Sequence, residues 1–422
     1  YDPAAGTVVH RHSFSGLQEL AQSFLTTFNN RIISVIPNSG IQGDGLLFEY
    51  NPATQTFFTR KEFSAAGEYI PSGPLSLYNG LLYGITHEGG DNGQGAIFSY
   101  NPTTFVYTKR ASLSATTGLN SYSGLTLFGD KFYGAFSDGG NAGDGVLFEY
   151  NPSNNLVSSK LLFSIATGTD PLGGMIDHNG KLYGLTENGG QYSQGALYEY
   201  TPETNFLQKR VDLGGLIAGD PSGNLININN KLYGATAEGG VNGLGVIYEY
   251  DLSSKEVSVR YSFDQANGYY SDNLFSYRGM TPFGNKLYGI TSNGGGDDRG
   301  VIFEFDPQTG VYTKKVDLLT SGTGSMAWGP LTVFNNKLYG TTTRRINDGV
   351  GVLFEYDPVT NVYAEKITFG GSLGDHPYGG LTPYNGRLYG TTRIGGAFNH
   401  GVLFEYNPAV NGFIKRHDFN VS

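Results

Sequence analysis

Leu232-Tyr233-Gly234-Ala235-Thr236-Ala237-Glu238-Gly239-Gly240, with a further glycine at Gly245, is one copy of a unit that recurs along the whole chain. The first glycine falls at Gly84, Gly134, Gly184, Gly234, Gly289, Gly340 and Gly390, and Ser34 holds its place in a degenerate first copy. Eleven residues later comes a second glycine, at Gly45, Gly95, Gly145, Gly195, Gly245, Gly300, Gly351 and Gly401. An alternating stretch such as Val146-Leu147-Phe148-Glu149-Tyr150 follows, then Asn-Pro or Asp-Pro, then another alternating stretch. Alternation with period two is the mark of strands. Each unit of about 50 residues therefore holds four strands, a to d, and eight units make an all-β, eight-bladed β-propeller of four-stranded antiparallel blades.

Repeat 3 gives the assignment: a near Leu125–Phe128, b near Lys131–Phe136, c near Val146–Tyr150 and d near Val157–Phe163. The a–b turns are pairs such as Asn79-Gly80, Asn229-Asn230 and Asn385-Gly386, which tolerate φ > 0 and suit type I′ hairpins. Proline marks the c–d bends, as in Asp357-Pro358, because it cannot donate to a ladder. Strand c carries Glu49, Glu149, Glu199, Glu249, Glu304, Glu355 and Glu405, with Ser99 in repeat 2. Strand d carries Arg60, Arg110, Lys160, Arg210, Arg260, Lys315, Lys366 and Arg416. A two-residue c–d loop sets each base directly opposite its glutamate, a cross-strand pair worth about 0.2–1 kcal/mol. Eight copies of one ion pair read as packing, not catalysis. Tyr1-Asp2-Pro3 and Thr7–Phe14, with Arg11, match the end of a repeat, so nine d-like strands accompany eight a-b-c sets. Either the first or the last d strand closes a single ring over 1–422, or the chain is part of a longer array; an open solenoid is the structural alternative.

Glycine numbers 64 of 422 residues, and 30 Tyr and 27 Phe recur at fixed places, which fits packed short strands and not disorder. Cysteine is absent, which excludes disulfides, thiolate nucleophiles and Cys-based zinc sites. The chain begins at Tyr1 without Met, so removal of a leader or an upstream region is expected, and no apolar run is long enough to insert in a membrane. A net charge of −10 argues against nucleic-acid binding.

The pattern Leu-Tyr-Gly-x-Thr-x-x-Gly-Gly, clear at Leu82–Gly90 and Leu232–Gly240, resembles the bacterial tandem repeat called GloVer. Phe163 followed by Gly168-Thr169-Asp170-Pro171 matches the same repeat. The pattern departs at Arg31-Ile32-Ile33-Ser34 and at Arg344-Arg345-Ile346. The resemblance implies secreted or surface bacterial proteins and supplies no catalytic residue; Kelch-type propellers are similar in repeat length alone.

Antiparallel parity puts the short a–b and c–d turns on one face, here the lower, and the longer b–c and d–a loops on the upper. Variable loops on a rigid scaffold are the usual place for function. Strand-c aromatics are spaced 50 apart through Tyr250, then 55 to Phe305 and 51 to Tyr356, so the extra residues enter one d–a loop. That loop carries Tyr269, Tyr270, Asp272, Tyr277 and Arg278; the next holds Trp328, and the one after it Asp375, His376 and Tyr378. The b–c loops of repeats 6 to 8 add Arg299, Arg344, Arg345 and Arg393, whereas those of repeats 1 to 5 have no Arg or Lys. The expectation is a non-catalytic sector that binds a glycan or a surface protein, with aromatic rings stacking on sugar faces and Arg forks holding carboxylates. A docking subunit of an envelope, secretion or adhesion complex is one alternative, and the ring can be a monomer or such a subunit. A polysaccharide lyase, with a Tyr or His base and Arg against a uronate, is another; His376 beside Asp375 is the sharpest break in the repeat.

No metal or cofactor is expected. His10 and His12 supply two ligands where zinc takes at least three. Asp297-Asp298 and Asn347-Asp348 lack calcium-loop spacing and read as turns. No phosphate-binding or dinucleotide fingerprint occurs.

Overall fold

Eight sheets, each of four sequence-contiguous antiparallel strands in the order a-b-c-d, make up the computed structural model. It describes residues 25–420 except 38, 41–42, 119–123, 141–142, 216, 218, 220, 271–278, 320–326, 328 and 344–350. Blade 1 comprises Thr26–Phe28, Arg31–Ile36, Leu46–Asn51 and Thr56–Glu62; blade 3, Thr126–Phe128, Lys131–Phe136, Val146–Asn151 and Leu156–Leu162; blade 8, Thr382–Tyr384, Arg387–Thr391, Val402–Asn407 and Gly412–Asp418; the strands of blades 2, 4, 5, 6 and 7 lie within 68–112, 169–212, 221–262, 281–317 and 332–368. Six a–b turns hold both central residues at positive φ, such as Asn79 at 47° and Gly80 at 75°, the geometry of type I′. In blades 3 and 6 only the first, Gly129 or Gly284, does so.

The blades stack face to face, and the core is a set of clusters between neighbours. Tyr183, Leu185, Leu197, Val211 and Leu213 of blade 4 pack on Leu225, Leu232, Val246, Tyr248 and Tyr250 of blade 5. The glycine after Leu-Tyr provides the room. A Cβ on Gly340 would stand 2.4 Å from the Phe354 ring, one on Gly84 2.3 Å from Phe98, and one on Gly390 2.5 Å from Phe404. The strand-c aromatic thus lies across strand b, which explains why the repeat keeps Gly, or the small Ser34. Gly340→Val is expected to destabilise by about 1–3 kcal/mol through overpacking, read as a lower urea midpoint.

Strand a is innermost. Its hydroxyls bond to the next blade's strand-a region: Thr26 Oγ1 to Leu75 O, Ser76 Oγ to Leu125 O, Thr281 Oγ1 to Leu331 O, Thr332 Oγ1 to Leu381 O and, closing the circle, Thr382 Oγ1 to Leu25 O at 3.2 Å. Blade 8 meets blade 1 directly in a cluster of Tyr389, Leu403 and Phe419 with Ile32, Ile36, Leu46, Phe48 and Tyr50. The ring therefore closes by packing between complete blades, the last d strand staying in its own sheet. Residues 1–14, the other candidate for closure, lie outside the described residues.

One sequence expectation is corrected. The c–d turn spans four residues, 152–155 in blade 3, and every strand d carries a bulge. Leu147 pairs with Leu161 and Phe148 with Ser159, so Lys160 is the inserted residue and Glu149 faces Ser158. The same holds at Arg60, Arg110, Arg210, Arg260, Lys315, Lys366 and Arg416. The bulge swings seven of the bases diagonally onto the strand-c glutamate, as in Arg60–Glu49 at 3.0 Å and Arg416–Glu405 at 2.7 Å, and sets Arg110 on Ser99 at 2.7 Å.

Candidate functional site

The recurrent charges form closed structural networks. In blade 4 the Glu199 carboxylate accepts from Arg210 at 2.8 Å, from the Tyr183 hydroxyl at 3.0 Å and from Lys181. Burial raises the Glu199 pKa, but the three donors outweigh it and hold the carboxyl at about 2. Blades 3 and 7 repeat the arrangement, with Lys131 and Tyr133 on Glu149, and Lys337 and Tyr339 on Glu355; both carboxyls are lowered in the same way. With its acceptors filled, such a group is not a general base.

On the upper face, the d–a loops before blades 6 and 8 pair with the b–c loops of those blades. Tyr269 is bridged to Asn293 through backbone bonds of 3.0 and 3.1 Å, and Asp375 to Ile394 through bonds of 2.7 and 3.2 Å. This seats the described candidates. Tyr270 is only 2% exposed, edge-on to Phe263 at 5.4 Å in the seam between blades 5 and 6, and Tyr269 packs partly buried on that cluster. Arg299 is half-buried in blade 6, its Nε shielded from solvent. Asp272, Tyr277, Arg278, Trp328, Arg344 and Arg345 lie outside the described residues.

Blade 8 brings four of the candidates together. The Asp375 carboxylate accepts from the His376 backbone N–H at 2.7 Å and lies 3.1 Å from His376 Nδ1. His376 takes φ 53°, unusual for a non-glycine residue. Its ring stacks at 6.1 Å on Tyr378, and the Arg393 guanidinium lies 5.6 Å from the Tyr378 ring with Nη1 3.4 Å from its hydroxyl. An oriented imidazole and a cation are thus held side by side.

A signal the repeat pattern does not use lies just upstream. Gly370-Gly371-Ser372-Leu373-Gly374 has the Gly-x-Ser-x-Gly spacing of a hydrolase nucleophile elbow. The fold does not support that role. An elbow sits between a strand and a helix, whereas Gly371–Leu373 is one 3-10 turn between two blades. The same turn recurs at Ser164–Gly168 and Asp264–Gly268 without that serine. No hydrogen bond joins Ser372 to His376. Among the described residues, no three His, Asp or Glu side chains converge as a metal site requires.

Fold and networks together define an eight-bladed propeller of a tandem-repeat type. The chain belongs to the Gloeobacter/Verrucomicrobia repeat family, which it matches over residues 129–280 and 270–422. No curated protein is significantly similar to it. Among solved structures, it is similar to a puromycin hydrolase (11% identity, TM-score 0.53, 91% of this chain and 58% of that one). A puromycin-hydrolysing peptidase of Mycobacterium tuberculosis gives 14%, 0.52, 92% and 59%. A structure from a study of two prolyl endopeptidases gives 8%, 0.52, 92% and 55%. At these identities the likeness is one of fold, and the chain spans under three fifths of each of these proteins.

These findings correct the functional expectation. The solved rings belong to peptide-hydrolysing proteins, and nothing in the likeness points to a glycan-binding or surface-protein-binding ring, an envelope docking subunit or a polysaccharide lyase. The aromatic wall that motivated the glycan reading also loses Tyr270 to the core between blades 5 and 6, where its ring fills space and cannot stack on a sugar.

Proposed function

We propose that this ring is the ligand-admitting unit of a peptide-hydrolysing assembly whose hydrolytic chemistry is carried outside residues 1–422. The overlay of more than nine tenths of the chain on part of the peptide hydrolases carries this reading. Two further observations support it. Strand a exposes the apolar side chains of Leu77, Leu127 and Val333 at its penultimate position, which suit the side chains of an extended peptide. The upper-face group of Asp375, His376, Tyr378 and Arg393 offers a cation and an aromatic ring to its polar groups.

The test is fluorescence anisotropy of short labelled peptides with the purified ring, with product release followed alongside. Binding without turnover is expected, weakened about tenfold or more in Leu77→Asp/Leu127→Asp, where two apolar contacts are lost. Absence of binding, or turnover by the ring alone, overturns the proposal.

A further inference from the structure

The fifth residue of the loop after strand c's aromatic takes positive φ in all eight blades: Gln55, Phe105, Asn155, Asn205, Lys255, Gly310, Asn361 and Asn411. In blades 3, 4, 7 and 8 it is Asn, whose Oδ1 accepts the strand-c Tyr hydroxyl at 2.6–2.9 Å. This position also reaches over the charged cluster of the preceding blade. Phe105 lies against the guanidinium groups of Arg31 and Arg60 of blade 1, and the Gln55 carbonyl accepts from Arg416 of blade 8. A Cβ on Gly310 would stand 2.9 Å from Arg260 of blade 5.

Blades 1, 2, 5 and 6 lack the Asn. In blade 5 Lys255 adopts φ 64°, as Gln55 and Phe105 do at φ 56° and 62°, and cannot accept the Tyr250 hydroxyl, which like that of Tyr50 is buried without a partner. Lys255 lines the same cavity as Lys181 of blade 4, where Arg210 and Lys181 already satisfy Glu199. Burial and those two cations depress the Lys255 pKa, and Glu199 and Asp251 compensate in part. Asp251 accepts from the backbone N–H of Ser253 and Ser254 and lies 3.8 Å from Lys231. The blade 4 carboxylate is thus saturated by two cations, and Lys255 adds a third positive charge beside the cavity in a chain of net charge −10.

A cavity of about 200 Å³ opens at this place on the lower face, lined by His178, Asn179, Lys181, Tyr183, Asn230 and Lys255. His178 also departs from the repeat, since strand a ends elsewhere in a Phe or Tyr ring, or in Ile228 in blade 5. It is fixed by Asn227 Nδ2 on Nδ1 at 2.7 Å and by Asn230 Oδ1 on Nε2 at 2.6 Å. Two lysines, a tethered histidine and the Asn179 amide thus line one cavity, a convergence of donors that suits an anion.

We infer that the cavity between blades 4 and 5 is a binding site for a small carboxylate, held between Lys255 and Lys181 with the Asn179 amide beside them. The site goes beyond the peptide-admitting role, and its test does not depend on peptide hydrolysis. Lys255→Asn restores the repeat: it relieves the strained backbone, gives Tyr250 its acceptor and removes one ammonium. Binding of succinate, of triglycine and of triglycine amide is measured by calorimetry at low salt, together with the unfolding temperature. Lys255→Asn is expected to unfold at a higher temperature than the parent while its carboxylate affinity falls about 10- to 100-fold, the loss of one charge-assisted contact. Lys181→Gln is expected to weaken binding too. Succinate alone as the ligand identifies a free dicarboxylate; triglycine without its amide identifies a peptide C-terminus. Absence of binding by either acid, or affinity unchanged in Lys255→Asn, overturns the inference.

Discussion

Phe419→Ala is expected to lower the unfolding free energy by about 3–5 kcal/mol, the usual cost of emptying a buried phenylalanine site. Phe419 is 1% exposed and belongs to the seam where blade 8 meets blade 1. Its ring lies 5.8 Å from Phe48 and 5.5 Å from His417, which itself stacks on Phe57 at 3.5 Å. No strand is exchanged across this seam among the described residues, so side-chain packing and a few hydrogen bonds must hold the ring shut. The internal standard is Phe369, which fills the equivalent place between blades 7 and 8, 5.1 Å from Phe404. In a closed ring Phe369→Ala and Phe419→Ala cost the same to within about 1 kcal/mol, because the two rings fill equivalent places between complete blades. Chemical denaturation of both variants settles the matter. A silent Phe419→Ala beside a damaging Phe369→Ala means that the seam between the ends of the described chain does not carry the ring.

The blade plan was legible because it rests on local rules repeated eight times. Alternation in Val146–Tyr150, positive-φ pairs such as Asn79-Gly80 and the Pro bends each point to the same strands, and all four strands of blade 3 appear where their pattern places them. The bulge at Lys160 was not legible. Strand d is half exposed along its length, so one inserted residue leaves no gap in an apolar pattern. Tyr270 misled for the opposite reason: in a long loop it reads as exposed, yet the seam between blades 5 and 6 is filled by it against Phe263 and Met280. His178 and Lys255 went unnoticed because they lie far apart in sequence and meet only where blade 4 faces blade 5. The readable trace was a column in the repeat, Asn in four blades and lysine in one.

Acidification is expected to act chiefly through the strand-c glutamates, and the direction follows from their environment. Glu199 is held at about 2 against an ordinary value of 4.5, by Arg210, Lys181 and Tyr183. A depressed carboxyl stabilises the fold fully above its unfolded pKa, and that stability drains away as pH falls through the folded value. Glu199 alone is therefore worth about 3 kcal/mol at neutral pH, lost between about pH 4.5 and 2. Glu149 and Glu355, lowered by the same kinds of donor, contribute stability that is lost in the same direction as the pH falls. Glu199→Gln isolates the effect. At pH 7 it is expected to be destabilised by about 3–5 kcal/mol, since it leaves the cations of Arg210 and Lys181 facing an uncharged amide in a half-buried cluster. Below pH 4.5 the gap between parent and variant should close, because protonation makes the parent resemble the variant. Denaturant titrations at pH 7, 4 and 2.5 read this directly. A gap that stays constant across that range would mean that Glu199 titrates alike in the folded and unfolded chains, and that the triad of donors shapes the blade without biasing its charge.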